Sequence, residues 1–275
     1  MADEDYIKGR GSQINTHNRF LSQKLVKEHW EGIDENDSGE SKTEFIPVFP
    51  KSIINKVESP DIAGAYSMNP YQGCEHGCIY CYARPTHEYW GYSAGLDFEQ
   101  KILVKKNAPQ LLKETFSKKN YTPAPIMFSG NTDCYQPVER KLQITRKMLE
   151  VCLHYKHPVS MITKNALILR DLDILSEMAK MNLVHVSISL TTLDDSLRRI
   201  MEPRTAAAAK KLEVIRELSS NGIPVNVMMA PIIPALNSSE IPTVGEKVSE
   251  AGALAFNYTM VRLNGEIATL FTDWV

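Results

Sequence analysis

The sequence lacks the features that mark secreted proteins, membrane proteins and proteins that bind nucleic acid by charge alone. Its first residues, MADEDYIKGRGSQ, are acidic and polar, whereas a secretory leader needs a basic tip and an apolar run. The most apolar stretch, residues 225–236, contains prolines and is too short to cross a bilayer. The net charge is only −2, which gives no general attraction to nucleic acid or to a membrane. We therefore expect a cytoplasmic protein with no membrane partner.

Cysteine is also scarce, with five residues in a chain of 275. Thiols stay reduced in the cytoplasm, so a disulfide framework is not expected. Three of the five, Cys74, Cys78 and Cys81, fall in the stretch NPYQGCEHGCIYCYARPTHEYWG. Three thiolates at the spacing C-x3-C-x2-C lie on one tight loop and can converge on one centre. The spacing therefore predicts a metal site.

Two kinds of centre fit three thiolates. Structural zinc usually takes four ligands as two separated pairs; the next cysteine, Cys134, is far along the chain, so His76 or His87 would have to complete a Cys3His site. A 4Fe–4S cluster normally takes four thiolates, and with three of them one iron keeps an open position. The residues alone thus allow a zinc-stabilised binding module without catalysis or an iron–sulfur enzyme.

From residue 65 onward, short apolar runs alternate with helical patterns. Most of the runs are nearly continuous, as expected of strands buried on both faces of a parallel sheet. They lie at residues 65–71, 125–130, 157–164, 184–190, 225–232 and 254–263. Six strand-and-helix units are too few for a closed eight-stranded barrel, so the sequence predicts an α/β fold with a partial (β/α)6 barrel. A doubly wound sheet is the alternative.

Residues 1–64 are largely polar, and we expect them to form a partly flexible N-terminal extension ahead of the barrel at residues 65–275. The segment 31–42, EGIDENDSGESK, has almost nothing to bury. Within the barrel, one predicted helix opens at Pro137 and carries Leu142, Leu149 and Leu153 on one face. In a parallel α/β fold the ligand site lies at the carboxyl ends of the strands, which is where the cysteine loop follows the first strand.

The motif C-x3-C-x-Tyr-Cys in this setting resembles that of the radical S-adenosylmethionine (SAM) superfamily. The branch that contains spore photoproduct lyase is similar over further stretches, in order along about nine tenths of the chain. These are GRGSQINTHNRF, SPDI, the cysteine stretch itself, SAGLDFEQKI, NTDCYQPVER, TKNALILRD, SLTTLD, MEPRT and APIIP. The resemblance implies a 4Fe–4S cluster held by Cys74, Cys78 and Cys81, with SAM bound to the open iron. It implies reductive cleavage of SAM to a 5′-deoxyadenosyl radical that abstracts hydrogen from a substrate.

The same resemblance assigns SAM-binding roles to residues near the strand ends. Tyr80 stands where the superfamily places an aromatic residue near the adenine. A literal GGE motif is missing, but Thr132 and Asp133 resemble a Ser-Asp pair that binds the methionyl amine. At the ends of the next two strands, Lys164 is expected to meet the SAM carboxylate as a point charge, and Ser189 the ribose or the carboxylate, with Thr191 and Thr192 as alternatives to Ser189.

Tyr82 and Cys134 are the candidate catalytic residues. Tyr82 directly follows the last cysteine, where the resemblance implies a part in radical or proton relay. Cys134 adjoins the Thr132-Asp133 pair, although on the other side from the cysteine that returns hydrogen in the lyase. Packing alone is the alternative for both side chains.

The resemblance also implies a reducing partner such as flavodoxin or ferredoxin, and a reaction of the lyase or oxidoreductase type. It makes nucleic acid a candidate substrate without naming one. The identity of the substrate and product, the fate of SAM, the oligomeric state and the presence of a further C-terminal segment stay open at this point.

Overall fold

The structure is a computed structural model that describes residues 6–21, 42–57 and 66–275. The segment 31–42, apart from Lys42, and the SPDI stretch lie outside the described residues. In chain order the strands are β1 (Glu44–Val48), β2 (Ile54–Lys56), β3 (Tyr66–Met68), β4 (Tyr71–Gln72), β5 (Lys101–Lys105), β6 (Ile126–Phe128), β7 (Val159–Thr163), β8 (Val184–Ser189), β9 (Val225–Ile232) and β10 (Ala255–Met260). The helices are α1 (Leu96–Gln100), α2 (Ala108–Phe116), α3 (Glu139–Leu142), α4 (Ile144–His154), α5 (Leu172–Lys180), α6 (Asp195–Met201), α7 (Ala208–Ser220), α8 (Ile241–Glu250) and α9 (Glu266–Trp274).

The main sheet has seven strands in the order β10-β9-β8-β7-β6-β3-β2. Six of its strands pair in parallel with their neighbours: β3, β6, β7, β8, β9 and β10. Strand β2 pairs with β3 in the antiparallel sense. All six coincide with the runs predicted from the sequence. Within the described ranges the sheet stays open between β10 and β2, so the predicted α/β fold with a partial barrel is confirmed.

Burial along the central strands alternates, which the sequence did not predict. In β7, β8 and β9, fully buried residues take turns with partly exposed ones. The partly exposed positions include polar pairs in register, Ser160 with His185 and Ser187 with Asn226. The expectation of strands buried on both faces is therefore wrong for one face, because one side packs in the core while residues on the other side stay partly exposed.

A second sheet, in the order β1-β5-β4, lies next to the cysteine loop. Strand β5 pairs in parallel with β1 and antiparallel with β4. Strand β4 ends at Gln72, immediately before the cysteines. This sheet therefore fixes the point at which the loop starts.

The single helix expected from Pro137 onward is wrong, because the chain breaks it at Gln143, whose φ is +53°. The cause is the buried carboxylate of Glu139, which accepts hydrogen bonds from the backbone nitrogens of Ile144 at 3.0 Å and Thr145 at 3.1 Å. These amides are the unsatisfied donors of a helix start. Glu139 thus ends α3 and caps α4.

Candidate functional site

The three clustered cysteines lie on the loop between β4 and the 3₁₀ helix at Arg84–Trp90. Cys74 and Cys78 are buried, Cys81 is partly exposed, and all three are free thiols. The loop is held by backbone hydrogen bonds from Cys74 to the Phe98 carbonyl at 2.8 Å and from Ile79 to the Met201 carbonyl at 3.1 Å. Two distant segments therefore fix the backbone around the thiols.

A buried ion pair between Arg84 and Glu99 stabilises the cysteine loop. The Arg84 guanidinium donates to the Cys78 carbonyl at 3.0 Å and pairs with Glu99. The Glu99 carboxylate also accepts from the backbone nitrogens of Gly11 at 3.0 Å and Ser12 at 2.9 Å. A Cβ at Gly11 would lie 1.7 Å from the Gly77 carbonyl oxygen, so only glycine allows this contact between the N-terminal segment and the loop.

Asp133 connects the loop to the ends of β6 and β7. Its carboxylate accepts from the Thr163 hydroxyl and the Lys164 backbone nitrogen, both at 2.8 Å, and faces His76 Nδ1 at 3.3 Å. Burial raises the pKa of Asp133, but His76 and the hydrogen bonds outweigh burial and the pKa is lowered. The carboxylate is thus negatively charged and placed at the strand ends, as a partner of an ammonium group must be. Its contact with SAM stays a prediction.

Lys164 and Ser189, which are predicted to bind SAM from the ends of different strands, are joined by a hydrogen bond. The Lys164 ammonium donates to Ser189 Oγ at 2.7 Å, to Thr191 Oγ1 at 3.0 Å and to Glu202 Oε1 at 3.0 Å. It also lies 5.5 Å from the centre of the Tyr80 ring. Three of the residues expected to bind SAM therefore form one cluster beside the cysteine loop.

Glu202, which follows α6 directly in the MEPRT stretch, is fully buried at the centre of that cluster. It accepts hydrogen bonds from the hydroxyls of Tyr80 and Thr191, and it pairs with Lys211 at 3.3 Å. Burial raises the pKa of the Glu202 carboxyl, but the ammonium groups of Lys164 and Lys211 outweigh burial and hold this pKa below its usual range. Only contacts between distant parts of the chain reveal this role.

Of the remaining predicted residues, Thr132 and Cys134 are buried and Tyr82 is exposed. Thr132 is buried, and its hydroxyl donates to the Tyr71 carbonyl at 3.0 Å. Cys134 is fully buried in the main core, and its backbone nitrogen donates to Ser129 Oγ at 2.9 Å. Tyr82 is exposed, with its hydroxyl donating to the Gly130 carbonyl at 3.0 Å. Their roles in the reaction stay predictions.

The donor set on the loop suits an iron–sulfur centre. Burial raises the pKa of all three thiols, and a bound metal centre removes that cost by taking the thiolates as ligands. In the described ranges no group of three or more His, Cys, Asp or Glu side chains is arranged to hold a metal ion, so the fit to an iron–sulfur centre rests on the number and spacing of the cysteines. Cysteines of an iron–sulfur cluster bind a centre of several irons. Of the two histidines considered for zinc, His76 already faces Asp133 and lies 3.2 Å from the Asn165 amide.

Comparison with known proteins agrees with this donor set. The family model "Radical SAM superfamily" matches residues 68–248. The chain is 31% identical over 236 residues to uncharacterized protein Rv2578c of Mycobacterium tuberculosis, covering 84% of this chain and 69% of that protein. It is 30% identical over 196 residues to uncharacterized protein MJ0683 of Methanocaldococcus jannaschii, covering 71% and 70% of the two chains.

Among solved structures, spore photoproduct lyase complexed with dinucleoside spore photoproduct superposes with a TM-score of 0.64 and 15% identity, covering 86% of this chain and 67% of that one. A mutant of the same lyase with bound AdoMet and dinucleoside spore photoproduct gives a TM-score of 0.59 and 12% identity over the same shares. Such low identity shows a common fold alone. In the described part of the chain, every helix is too short or too polar to pass through a bilayer. With its cysteine loop directly after β3 and β4 and its family match over residues 68–248, the chain belongs to the radical SAM superfamily, whose members use an iron–sulfur cluster and SAM.

Proposed function

We propose that the protein is a radical SAM enzyme in which Cys74, Cys78 and Cys81 hold a 4Fe–4S cluster. The observation that carries the proposal is the set of three free thiols on a loop that distant segments hold in place. When bound, the cluster and SAM supply an electron and a reductive cleavage that leads to hydrogen abstraction from a substrate. The protein supplies binding, orientation and exclusion of water.

SAM binds beside the loop at the ends of β6, β7 and β8 in this proposal. The Lys164 ammonium meets the methionyl carboxylate, and Ser189 donates to that carboxylate or to the ribose. Support comes from the position of Lys164, which is 15% exposed while its partner Glu202 is fully buried. Lys164 is therefore the cation of the cluster that a ligand can reach. The Tyr80 ring, next to this ammonium, lies near the adenine.

The methionyl amine binds at Thr132 and Asp133. The Asp133 carboxylate holds three short hydrogen bonds of 2.8 Å and one longer contact, 3.3 Å to His76. We propose that the amine replaces the His76 contact, because an ammonium donor forms a shorter and stronger bond to a carboxylate than this one. The backbone of the Thr132 segment supplies the neighbouring acceptors.

Tyr82 and Cys134 are the proposed catalytic residues for the substrate radical. Tyr82 is exposed next to the last cysteine, where a substrate can approach. Cys134 is covered by the core, so a hydrogen transfer from its sulfur requires the loop above it to open. Packing alone is the simpler role for Cys134.

The partners follow from the family. Radical SAM enzymes need a reductant, and we propose flavodoxin or ferredoxin in the cytoplasm. The reaction is of the lyase or oxidoreductase type. Nucleic acid is the proposed substrate class, supported by the fold shared with a lyase whose structures hold a dinucleoside photoproduct.

Anaerobic reconstitution tests the metal centre. The parent protein should bind about four irons with matching sulfide and release 5′-deoxyadenosine from SAM with dithionite. Changing Cys74, Cys78 or Cys81 to Ala should abolish both, whereas Cys152→Ala, on a core helix, should keep both. Stoichiometric zinc with no iron uptake would overturn the proposal.

A further inference from the structure

A buried lysine, Lys211, and a partly exposed one, Lys164, share one carboxylate next to the cysteine loop. Glu202 Oε1 lies 3.0 Å from the Lys164 ammonium, and Glu202 Oε2 lies 3.3 Å from the Lys211 ammonium. The three groups sum to a charge of +1. The next acid, Asp133, bonds the backbone nitrogen of Lys164 and faces His76. Lys164, Lys211 and Glu202 taken together therefore keep a surplus positive charge, although Asp133 also acts electrostatically on Lys164.

Lys164 is the most exposed of the three charged groups, so a ligand can approach the surplus charge at its ammonium. Lys211 is 3% exposed and Glu202 is fully buried, while Lys164 is 15% exposed. Burial lowers the pKa of Lys211, and the Glu202 charge opposes that effect. Unpaired charge in such surroundings is costly, so an anion that reaches Lys164 gains more than it would at a surface.

We propose that Lys211 is a positioning residue for SAM: by pairing with Glu202, it leaves the positive charge of Lys164 only partly compensated. This inference rests on the proposed contact between Lys164 and the methionyl carboxylate. Without Lys211, the Glu202 carboxylate would neutralise Lys164 on its own, and the SAM carboxylate would meet an ion pair of no net charge. Lys211 then affects SAM binding without touching it.

A cycle of variants separates this charge effect from packing. The cluster charge is +1 in the parent, 0 in Lys211→Met, +2 in Glu202→Gln and +1 again in the double variant. The dissociation constant for SAM is measured on reconstituted protein without reductant, so no turnover occurs. We expect Lys211→Met to weaken SAM binding about tenfold, and the double variant to return to within about threefold of the parent.

Two controls accompany the cycle. Lys210→Met removes the neighbouring lysine of α7, which pairs with Glu213 on the surface, and should leave SAM affinity unchanged. 5′-Methylthioadenosine, which lacks the methionyl carboxylate, should bind Lys211→Met as well as it binds the parent. A general loss of structure would weaken both ligands.

The outcomes are distinct. If Lys164→Met leaves SAM affinity unchanged, the proposed SAM site itself is wrong. If Lys164→Met weakens SAM binding but Lys211→Met does not, the inference is overturned while the site stands. A double variant as weak as Lys211→Met alone, or equal losses for SAM and 5′-methylthioadenosine, would also overturn it. Should Lys211→Met not fold, Glu202→Gln decides instead: its cluster charge of +2 should tighten SAM binding, and unchanged or weaker binding would overturn the inference.

Discussion

Among single residues, the buried carboxylates do most to shape the site. Glu99, Asp133, Glu139 and Glu202 each accept hydrogen bonds from at least three groups. A buried charge that is fully bonded fixes geometry, whereas one that loses a partner is costly. The residues that join loops here are therefore acids rather than apolar side chains.

Asp133 gives the most direct prediction about a single residue. Asp133→Asn keeps the size of the side chain but removes the charge that faces an ammonium. A charge-assisted hydrogen bond is worth roughly 1.5–3 kcal/mol, so SAM affinity should fall about tenfold or more, measured by equilibrium dialysis on iron-loaded protein. Iron content should stay the same. The exposed acid Asp173 offers the matched control, Asp173→Asn. Unchanged affinity would place the methionyl amine elsewhere.

Glu202 shows why part of the site could not be predicted from the sequence. Lys164 and Ser189 could be found, because each stands at the end of an apolar run and parallel strands bring such ends together. Glu202 follows α6 in a loop, and acids in loops are usually solvated. Its contact with Tyr80 spans 122 positions of the chain. No local pattern indicates such a pairing.

Among the secondary-structure elements, the parallel strands could be predicted and the second sheet could not. Most parallel strands of the main sheet occupy nearly continuous apolar runs, which are a strong signal. Strand β5, KILVK, offers three apolar residues between lysines and depends on partners from both sides. The break at Gln143 was missed because the apolar stripe continues across it.

The helix break leads to a prediction about stability. Glu139→Gln removes the charge that caps α4 and that pairs with Arg170 at 2.8 Å. Breaking a buried pair costs roughly 3–5 kcal/mol, and the amide that remains keeps part of the capping, so we expect a loss of roughly 2–4 kcal/mol in urea unfolding. Glu150→Gln, an exposed change on the same helix, should stay within about 0.5 kcal/mol. Equal effects of the two changes would contradict the capping role.

For the molecule as a whole, the N-terminal segment and the cysteine loop form one unit. Leu96 N donates to the Ile14 carbonyl at 2.9 Å, and Arg204 Nε donates to the Gly9 carbonyl at 3.0 Å. Residues near 10, 77, 99 and 204 therefore meet around the thiols. A family match that begins at residue 68 leaves out part of what supports the loop.

Gly11→Ala tests this unit. The new methyl group would overlap the Gly77 carbonyl, so the N-terminal segment must leave or the loop must shift. We expect lower iron retention and faster cleavage of the N-terminal segment in limited proteolysis. Gly245→Ala, in α8, is the control, because its Cβ would meet only Phe256 at an ordinary 3.5 Å. Normal iron retention in Gly11→Ala would show that the contact is dispensable.

The hydrogen bonds that join the cysteine loop to Met201 and Arg204 can form only late in the synthesis of the chain. A ribosome adds about 5–20 residues per second, so on the order of ten seconds separate the synthesis of Cys81 from that of Arg204. During that interval the three thiols already exist, and the segment that bonds the backbone of Ile79 and His76 does not. In a growing chain the three thiols are therefore uncovered on the side that Met201 and Arg204 close in the finished protein.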